Sequence, residues 1–343
     1  MENKERLTGM TLEELKTAAS RISLPDYAAG QMAEWLYRKK IKTVDEMTNI
    51  ASPKRRMLSE YYEIGITPPA GTVRSVDGTV KYLFAVNDGS RIVETVYIPS
   101  KDRSTLCVSS QAGCKMNCLF CMTGKQGFGA QLTANEMLNQ IQAIPENDEL
   151  TNVVFMGMGE PFDNIDELLK TLTILTAPYG YAWSPKRITV STAGIIPGLK
   201  RFLEESKCHL AISLHSPYHE ERLSLMPVEK AYPVANVIDI LHKYDFSHQR
   251  RVSFEYIMFE NINDTERHAK DLAKLLRGIA CRVNLIRFHA IPGVKLSCSS
   301  ERKMISFREQ LNAHGITCTV RISRGEDIFA ACGMLSTTKN HKK

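Results

Sequence analysis

The pattern of hydrophobic and polar positions changes twice along the chain and divides it into three regions. In residues 1–65, short apolar runs recur with helical spacing, whereas residues 70–100 alternate with the two-residue period of β-strands. The pairs Asp77-Gly78 and Asp88-Gly89 separate the strand-like runs and suit the tight turns of antiparallel hairpins. After residue 100, apolar runs alternate with helical stretches. The pattern predicts a helical region, a small β meander and a larger α/β region.

Local signals predict where the helices of the first region begin. The segment Thr11–Glu14 has the residue order of a capping box, in which a threonine and a glutamate satisfy each other's backbone amides. A second helix is expected to open near Pro25 and to continue through Tyr37, and a third to begin at Ser52-Pro53.

The third region repeats an order of strand followed by helix. Its apolar runs lie at 105–109, 152–157, 187–192, 208–214, 251–258 and 282–288, and its helical stretches near 133–144, 164–176, 197–205, 233–244, 264–277 and 300–314. This order makes a parallel sheet with right-handed crossovers, whose ligands bind at the carboxyl ends of the strands. Either an incomplete barrel or an open doubly wound sheet satisfies the pattern.

Three cysteines follow the first strand of this region. Cys114, Cys118 and Cys121 have the spacing C-x3-C-x2-C, with no fourth cysteine close behind. A four-iron cluster needs one ligand per iron, so three thiolates leave one iron open for chemistry. The alternatives are a buried thiol cluster or a structural zinc site, although such zinc sites have four ligands in paired units.

With the aromatic Phe120 before its last cysteine, this segment resembles the radical S-adenosylmethionine (radical SAM) enzymes. The resemblance implies a 4Fe-4S cluster that binds S-adenosylmethionine and cleaves it to a 5′-deoxyadenosyl radical. It also implies an α/β fold with a partial (β/α)6 TIM-like barrel. We therefore expect a helical RNA-binding accessory domain at 1–65, a β-meander extension at 66–100, the barrel at 101–325 and a C-terminal segment at 326–343.

Polar and glycine residues collect where the next strands are predicted to end. Paired glycines before Glu160 allow close backbone approach, and the carboxylate can accept hydrogen bonds from an ammonium group. The resemblance makes this the segment that binds the amino group of S-adenosylmethionine. The expected cofactor contacts are Gly159, Glu160, Ser191, Ser213, Leu214 and His215.

Two further cysteines narrow the resemblance. Cys107 precedes the three-cysteine motif, and Cys332 lies near the end in the run Ala-Ala-Cys332-Gly333. With the runs Gly-Met-Gly-Glu-Pro and Ser-Leu-His-Ser-Pro, they make nearly the whole chain similar to the dual-specificity adenine methyltransferases of the RlmN type. These enzymes act on adenosine 2503 of 23S rRNA and adenosine 37 of tRNA, using two S-adenosylmethionine molecules per turnover.

The resemblance also assigns roles to individual residues. Cys332 is expected to carry the methyl group to the electron-poor C2 of adenine, and Cys107 to release the product by forming a disulfide with Cys332. Glu94 aligns with the proton acceptor of the family, although its strand pattern alone favours an outward-facing residue. His289 stands where the family has an asparagine that contacts S-adenosylmethionine, and it can still donate or accept a hydrogen bond.

Composition bounds the remaining possibilities. The 343 residues carry a net charge of +6 and nine cysteines, with no apolar run near the length of a signal peptide or membrane span, which predicts a cytoplasmic protein. Basic residues cluster between Trp35 and Arg56, where they could contact RNA phosphates or form a solvated helix face. An electron donor such as flavodoxin is implied, and a monomer is the default expectation.

Three alternative functions remain at this point. A methyltransferase that modifies C8 of adenine and confers antibiotic resistance would use the same cluster and thiols. A radical SAM enzyme acting on a peptide would share the cluster motif. A non-catalytic iron–sulfur or zinc module that binds RNA would share the thiols and the basic segment.

Overall fold

The computed structural model describes residues 4–247 and 251–336. Residues 1–3 of the predicted helical domain and residues 337–343 of the predicted C-terminal segment lie outside the described part. The N-terminal region contains β1 (Glu5–Arg6), α1 (Leu12–Arg21), α2 (Tyr27–Ala33), a π-helical turn (Glu34–Arg38), a 3-10 turn (Val44–Glu46), α3 (Ser52–Tyr61) and β2 (Tyr62–Glu63). The predicted capping box is confirmed: the Glu14 amide donates to Thr11 Oγ1, and the Thr11 amide donates to the Glu14 carboxylate at 2.7 Å.

Most of the basic segment between Trp35 and Arg56 is used within the protein. The Lys40 ammonium contacts Asn147 and Asp148, and Arg38 donates to the Pro178 carbonyl. Lys54 and Arg55 donate to the Ile22 and Ile50 carbonyls, each at 2.6 Å. These contacts fix the N-terminal helices internally and against the α/β region, so only part of the charge faces outward.

The rest of the chain is built on one large sheet. Its strands are β3 (Gly71–Arg74), β4 (Val80–Val86), β5 (Arg91–Ser100), β6 (Arg103–Cys107), β7 (Gln111–Gly113), β8 (Phe128–Gln131), β9 (Asn152–Phe155), β10 (Ile188–Thr192), β11 (His209–Ser213), β12 (Val252–Met258), β13 (Cys281–Arg287) and β14 (Thr317–Val320). The ten-stranded order is β14-β13-β12-β11-β10-β9-β6-β5-β4-β3, and β7 and β8 pair separately. Strands β6 and β9 to β14 are parallel, β3 to β6 form the antiparallel meander, and β7 and β8 pair antiparallel with each other.

Helices connect the parallel strands. They are α4 (Met122–Lys125), α5 (Ala134–Gln142), α6 (Ile165–Thr176), α7 (Ile196–Glu205), α8 (His219–Leu225), α9 (Val234–Leu241), α10 (Glu266–Leu275) and α11 (Glu301–Ala313), with short 3-10 turns at Pro161–Asn164, Pro185–Arg187, Pro227–Lys230 and Glu326–Ile328. No helix within the described ranges is long and apolar enough to cross a membrane.

The parallel part of the sheet is an incomplete barrel. Residues from β6, β9, β10, β12, β13 and β14 line one common cavity of about 460 Å³, which requires the sheet to curve around it. Strands β6 and β14 do not pair, so the barrel stays open on one side. The sequence predicted six of the seven parallel strands. It missed β14, because this strand is four residues long and has only Cys318 fully buried.

Candidate active site

A cavity of about 190 Å³ lies at the carboxyl ends of the parallel strands, where the strand order predicted the ligand site. The chain brings together most of the predicted site residues here. Its walls include Cys107, Cys114, Cys118, Cys121, Gly159, Glu160, Ser191, Ser213, His215 and Cys332.

The loop carrying the three-cysteine motif is held by backbone contacts. The Cys114 amide donates to the Gly127 carbonyl at 3.0 Å, and Gly113, at φ +85°, allows this approach because a Cβ there would lie 1.9 Å from the same oxygen. The Cys121 amide donates to the Cys118 carbonyl at 3.1 Å. The motif therefore forms a tight loop whose side chains face one space.

Burial raises the pKa of the Cys114 thiol to about 12 and that of Cys118 well above its ordinary value. Negative charge on the neighbouring thiols, including Cys121, adds to the shift. Cys114 and Cys118 are therefore protonated at neutral pH until a positive centre draws the protons off. A metal cluster would supply that centre.

The donor set fits an iron–sulfur cluster with three protein ligands. Within the described ranges, no group of three histidine, cysteine, aspartate or glutamate side chains could hold a single metal ion. Three thiols that line one cavity can each bind one iron of a four-iron cluster, which leaves the fourth iron open.

Glu160 is buried at the end of β9 and is held by three donors. Its Oε1 accepts from the Phe162 amide at 3.0 Å and the Thr192 hydroxyl at 2.7 Å, and its Oε2 accepts from the Ala193 amide at 2.7 Å. Burial raises its pKa to about 7, although these hydrogen bonds oppose the shift. Because a carboxylate oxygen can accept more than one hydrogen bond, Oε2 can also accept one from a ligand.

The paired glycines before Glu160 are needed for packing within the protein. Gly159 has φ +102°, and a Cβ there would lie 2.5 Å from Gln111 Cβ. A Cβ on Gly157 would lie 2.7 Å from Ser109 Oγ. The sequence predicted that these glycines let the backbone approach a ligand. In the structure they also let it pack against the segment that follows β6.

His215 lies at the wall of the cavity in a fixed tautomer. Its Nδ1 accepts a hydrogen bond from the Ile257 amide at 3.0 Å, and its ring meets the Phe120 ring edge-on with centroids 4.8 Å apart. Burial, together with the positive charge of Arg222, lowers its pKa to about 3. The imidazole is therefore neutral at physiological pH, and Nε2 carries the proton and donates.

The other expected cofactor contacts divide into two groups. Ser191 and Ser213 line the cavity, half-buried at the ends of β10 and β11. Leu214 is fully buried: its amide donates to the Glu255 carbonyl, and its carbonyl accepts from Arg222. His289 lines the larger barrel cavity instead, with Nε2 3.0 Å from Ser323 Oγ.

Cys107 and Cys332 lie close to each other and to Arg321. Desolvation raises the pKa of Cys107 to about 12, and negative charge on Cys332 contributes. Cys332 keeps accessible surface and lines both cavities, and desolvation raises its pKa as well. The Arg321 guanidinium opposes both shifts. All nine cysteines, including this pair, are free thiols in the structure.

Comparisons with known proteins agree with this site. Residues 108–273 match the radical SAM superfamily, and residues 6–64 match the ribosomal RNA large subunit methyltransferase N-terminal domain. A probable dual-specificity RNA methyltransferase RlmN of Parabacteroides distasonis is 69% identical over 340 residues, covering 99% of each chain. The chain belongs to the RlmN family of radical SAM methyltransferases.

More distant members of the family support the same assignment. A dual-specificity RNA methyltransferase RlmN of Desulfotalea psychrophila is 38% identical over 355 residues, covering 99% of this chain and 98% of the relative. The crystal structure of a radical SAM methyltransferase from Sphaerobacter thermophilus has a TM-score of 0.89 and 39% identity, covering 96% of this chain and 99% of that chain. The predicted family, α/β fold and enzyme class are confirmed, which argues against the peptide-modifying and non-catalytic alternatives.

Glu94 of this methyltransferase is not the outward-facing residue that its strand pattern favoured. It is 1% exposed, and its Oε1 lies 3.0 Å from the buried ammonium of Lys81. Its Oε2 accepts from the Ser336 amide at 2.9 Å, which ties β5 to the segment that carries Cys332. The apolar neighbours of Glu94 in the sequence predicted an apolar environment. The structure adds the buried ammonium of Lys81 to that environment.

Three residues that shape the cavity were missed by sequence reasoning. Arg222 is fully buried, forms an ion pair with Glu229 and donates to the carbonyls that end β10 and β11, which holds those strand ends in place. Arg321 and Glu255 line the cavity beside the paired thiols. The signal available for Glu255 was a lone acid inside the apolar run 252–258.

Proposed function

We propose that this methyltransferase places a methyl group on C2 of adenosine, at position 2503 of 23S rRNA and position 37 of tRNA. One observation carries the proposal: Cys107 and Cys332, one before and one far after the cluster motif, line the same cavity as the three motif cysteines. Cleavage of the cofactor alone would not need two thiols in addition to the three motif cysteines. A mechanism with a methyl-carrying thiol and a resolving thiol needs both.

The chemistry explains the need for a carrier. Adenine C2 is bonded to two nitrogens and is electron-poor, so it cannot displace a methyl group from a sulfonium as an ordinary nucleophile. When bound, the 4Fe-4S cluster and two S-adenosylmethionine molecules supply the methyl group and a 5′-deoxyadenosyl radical. Cys332 carries the methyl on its sulfur. That methyl group would lose one hydrogen atom to the radical, the remaining carbon would bond to C2 and join RNA to the protein, and the electron left on the adduct would pass to the bound cluster.

The step that releases the methylated RNA from the protein gives Cys107 and Glu94 their proposed roles. A base removes the C2 proton, and the Cys107 thiolate attacks the Cys332 sulfur, so that an S–S bond forms as the S–C bond breaks and the freed carbon takes up a proton to become the methyl group. Glu94 is the proposed base. Its hydrogen bond to Ser336, four residues after Cys332, supports a position near the reacting group.

The cofactor side of the cavity is assigned by donor chemistry. Cys114, Cys118 and Cys121 would hold the cluster, and Glu160 would accept hydrogen bonds from the cofactor ammonium. Gly159, Ser191, Ser213, Leu214 and His215 would contact its other groups, and His289 would take the place of the family asparagine. Cys107 and Cys332 form the proposed transient disulfide.

Partners follow from the proposed reaction. The RNA substrates place the enzyme in the cytoplasm, and an electron donor such as flavodoxin would reduce the cluster. A monomer suffices, because one chain contains all the proposed reacting groups.

Digestion of the RNA product to nucleosides tests the proposal. Reconstituted enzyme and unmodified 23S rRNA or tRNA should yield 2-methyladenosine, separated from its isomer by chromatography and identified by mass spectrometry. Formation of 8-methyladenosine would instead show the C8 reaction, and formation of neither would contradict the proposed function.

A further inference from the structure

Glu255 belongs to the cavity wall and has one carboxylate oxygen without a partner among the described residues. It lies in β12 and is 3% exposed. Its Oε1 accepts from Ser253 Oγ at 3.1 Å, from Asn284 Nδ2 at 2.8 Å and from Arg321 Nη2 at 3.4 Å. Its Oε2 is buried and has no hydrogen-bond partner within the described residues. A buried acceptor without a partner is energetically unfavourable, so a ligand that donates a hydrogen bond to this oxygen would stabilise the site.

The position of Glu255 indicates which ligand this is. Its charge acts on Cys332, whereas the charge of Glu160 acts on Cys114 and Cys118. The two carboxylates therefore serve different halves of the cavity. Both carboxylates belong to one cavity wall, Glu160 near the cluster ligands and Glu255 near the thiol that carries the methyl group in the proposed function.

Arg321 places a donor beside this acceptor. Its Nη2 contacts Glu255, and its Nη1 lies 3.9 Å from the Met156 thioether, a weak acceptor. A guanidinium has five N–H donors, so several remain for a ligand. An acceptor next to a donor matches the edge of adenine that carries the 6-amino group beside a ring nitrogen.

We propose that Glu255 and Arg321 recognise the target adenine, Glu255 accepting from its 6-amino group and Arg321 donating to the adjacent ring nitrogen. The inference rests on the proposed function and adds the basis of its base specificity. Hypoxanthine, the base of inosine, reverses this edge, because it has a carbonyl oxygen at C6 and an N–H at position 1. It should therefore be rejected.

Substrates that differ only at the target base test the inference. Methyl transfer from labelled S-adenosylmethionine is measured for RNA carrying adenosine, inosine or purine riboside, which lacks the 6-amino group. The unmodified enzyme should favour adenosine over each analogue by about 5- to 150-fold in kcat/KM, which corresponds to the discrimination of about 1–3 kcal/mol that a paired base edge provides. This arm needs no variant, and equal rates on adenosine and purine riboside would overturn the inference.

Glu255→Gln changes the acceptor oxygen to an amide that can donate to the inosine carbonyl. The adenosine-to-inosine ratio should fall at least tenfold, while S-adenosylmethionine binding changes less than twofold. Glu260→Gln is the matched control, because this exposed glutamate lies just beyond the same strand and outside the cavity wall. It should keep the original ratio.

Two results would contradict the inference without affecting the proposed function. Equal losses on both RNAs in Glu255→Gln would indicate a structural role, and an unchanged ratio with weaker cofactor binding would place Glu255 against the cofactor. An unmodified enzyme that methylates no adenosine-containing RNA would overturn the proposed function and this inference together.

Discussion

The two halves of the active-site cavity are built differently. On the cofactor side, both oxygens of Glu160 have donors and His215 is held in one tautomer by the Ile257 amide. On the transfer side, Glu255 Oε2 has no partner within the described residues and Cys332 keeps accessible surface. The side chains of the cofactor side are therefore held in place before a ligand binds. The transfer side has a carboxylate oxygen and a thiol that are available to a ligand.

The origin of each half in the chain explains this difference. The cofactor side comes from the loop 114–121 and from the ends of β9, β10 and β11, each braced by neighbouring backbone. The transfer side brings together the end of β6, the middle of β12 and the segment after β14. That last segment is tied down by hydrogen bonds from Met122 to Gly333 and from Thr123 to Leu335. In the proposed function, the cofactor is used in every turnover and suits a preformed site, whereas Cys332 would have to receive a methyl group and then RNA.

The largest expected effect is loss of a cluster ligand. Cys118→Ala leaves two thiols in the motif, so the cluster should not assemble and methyl transfer should fall below detection. Iron content and visible absorbance after anaerobic reconstitution measure the first effect, and labelled methyl transfer measures the second. Cys281→Ala is the control, because this half-buried cysteine lies at the start of β13, away from the cavity, and should leave both unchanged. An active Cys118→Ala enzyme would contradict the ligand assignment.

The next effect concerns how tightly the cofactor side is packed. Gly159→Ala should cost about 3 kcal/mol or more, because it combines an unfavourable φ of +102° with a 2.5 Å approach to Gln111 Cβ. Gly89→Ala should cost about 1–2 kcal/mol, since it has φ +82° but no atom within 4 Å of the added Cβ. Melting temperatures of the two variants measure the difference. Equal decreases would show that the close approach carries no energetic weight.

A smaller effect should depend on pH. Because burial raises the pKa of Glu160 to about 7, its carboxyl group is largely protonated at pH 6 and largely ionised at pH 8. Only the ionised form attracts an ammonium, so S-adenosylmethionine affinity should rise by up to about tenfold over this range. Glu160→Gln should bind about 10- to 100-fold more weakly at pH 8 and lose this pH dependence. Equilibrium dialysis with the reconstituted protein measures both, and an unchanged pH profile in the variant would contradict the assignment.

The smallest effect concerns the basic segment of the N-terminal region. Lys42 and Arg56 are exposed, and their side chains have no hydrogen-bond or ion-pair partner within the described residues, so they are free to contact phosphate. Replacing both by glutamine should weaken RNA binding a few-fold and reduce the slope of log affinity against log salt by about one to two. Lys40→Gln removes a contact to Asn147 and Asp148, so it should lower the melting temperature more than the salt slope. An unchanged slope in the double variant would place the RNA contacts elsewhere.

The sequence predicted the cofactor side better than the transfer side, for a physical reason. The three motif cysteines and Glu160 lie in short runs whose spacing reflects local geometry. Glu255 and Arg321 are 66 positions apart and meet only because β12 and β14 both border β13 and face inward. No local sequence pattern predicts that these two side chains meet. A single acidic residue in an apolar strand, such as Glu255, indicates only that its carboxylate is buried.

Two other expectations depended on partners that sequence does not show. The alternation of apolar and polar residues in its strand predicts that Glu94 points outward. Both faces of β4 and β5 are covered, however, and Glu94 forms an ion pair with the buried Lys81. Charge counting likewise gave the segment from Trp35 to Arg56 an excess of basic residues, which could either contact RNA phosphates or form a solvated helix face. Several of those side chains instead bind carbonyls and acidic residues of the protein itself.

The most direct test of the proposed transfer mechanism compares Cys107→Ala with Cys332→Ala by mass spectrometry of the reconstituted proteins after incubation with RNA. Both variants keep the three motif cysteines, so both should assemble the cluster and bind S-adenosylmethionine. Cys107→Ala should retain RNA joined through one carbon between the Cys332 sulfur and adenine C2, because the resolving thiol is missing. Cys332→Ala should carry no RNA. An adduct on Cys332→Ala, or normal turnover by Cys107→Ala, would contradict the roles proposed for the two thiols.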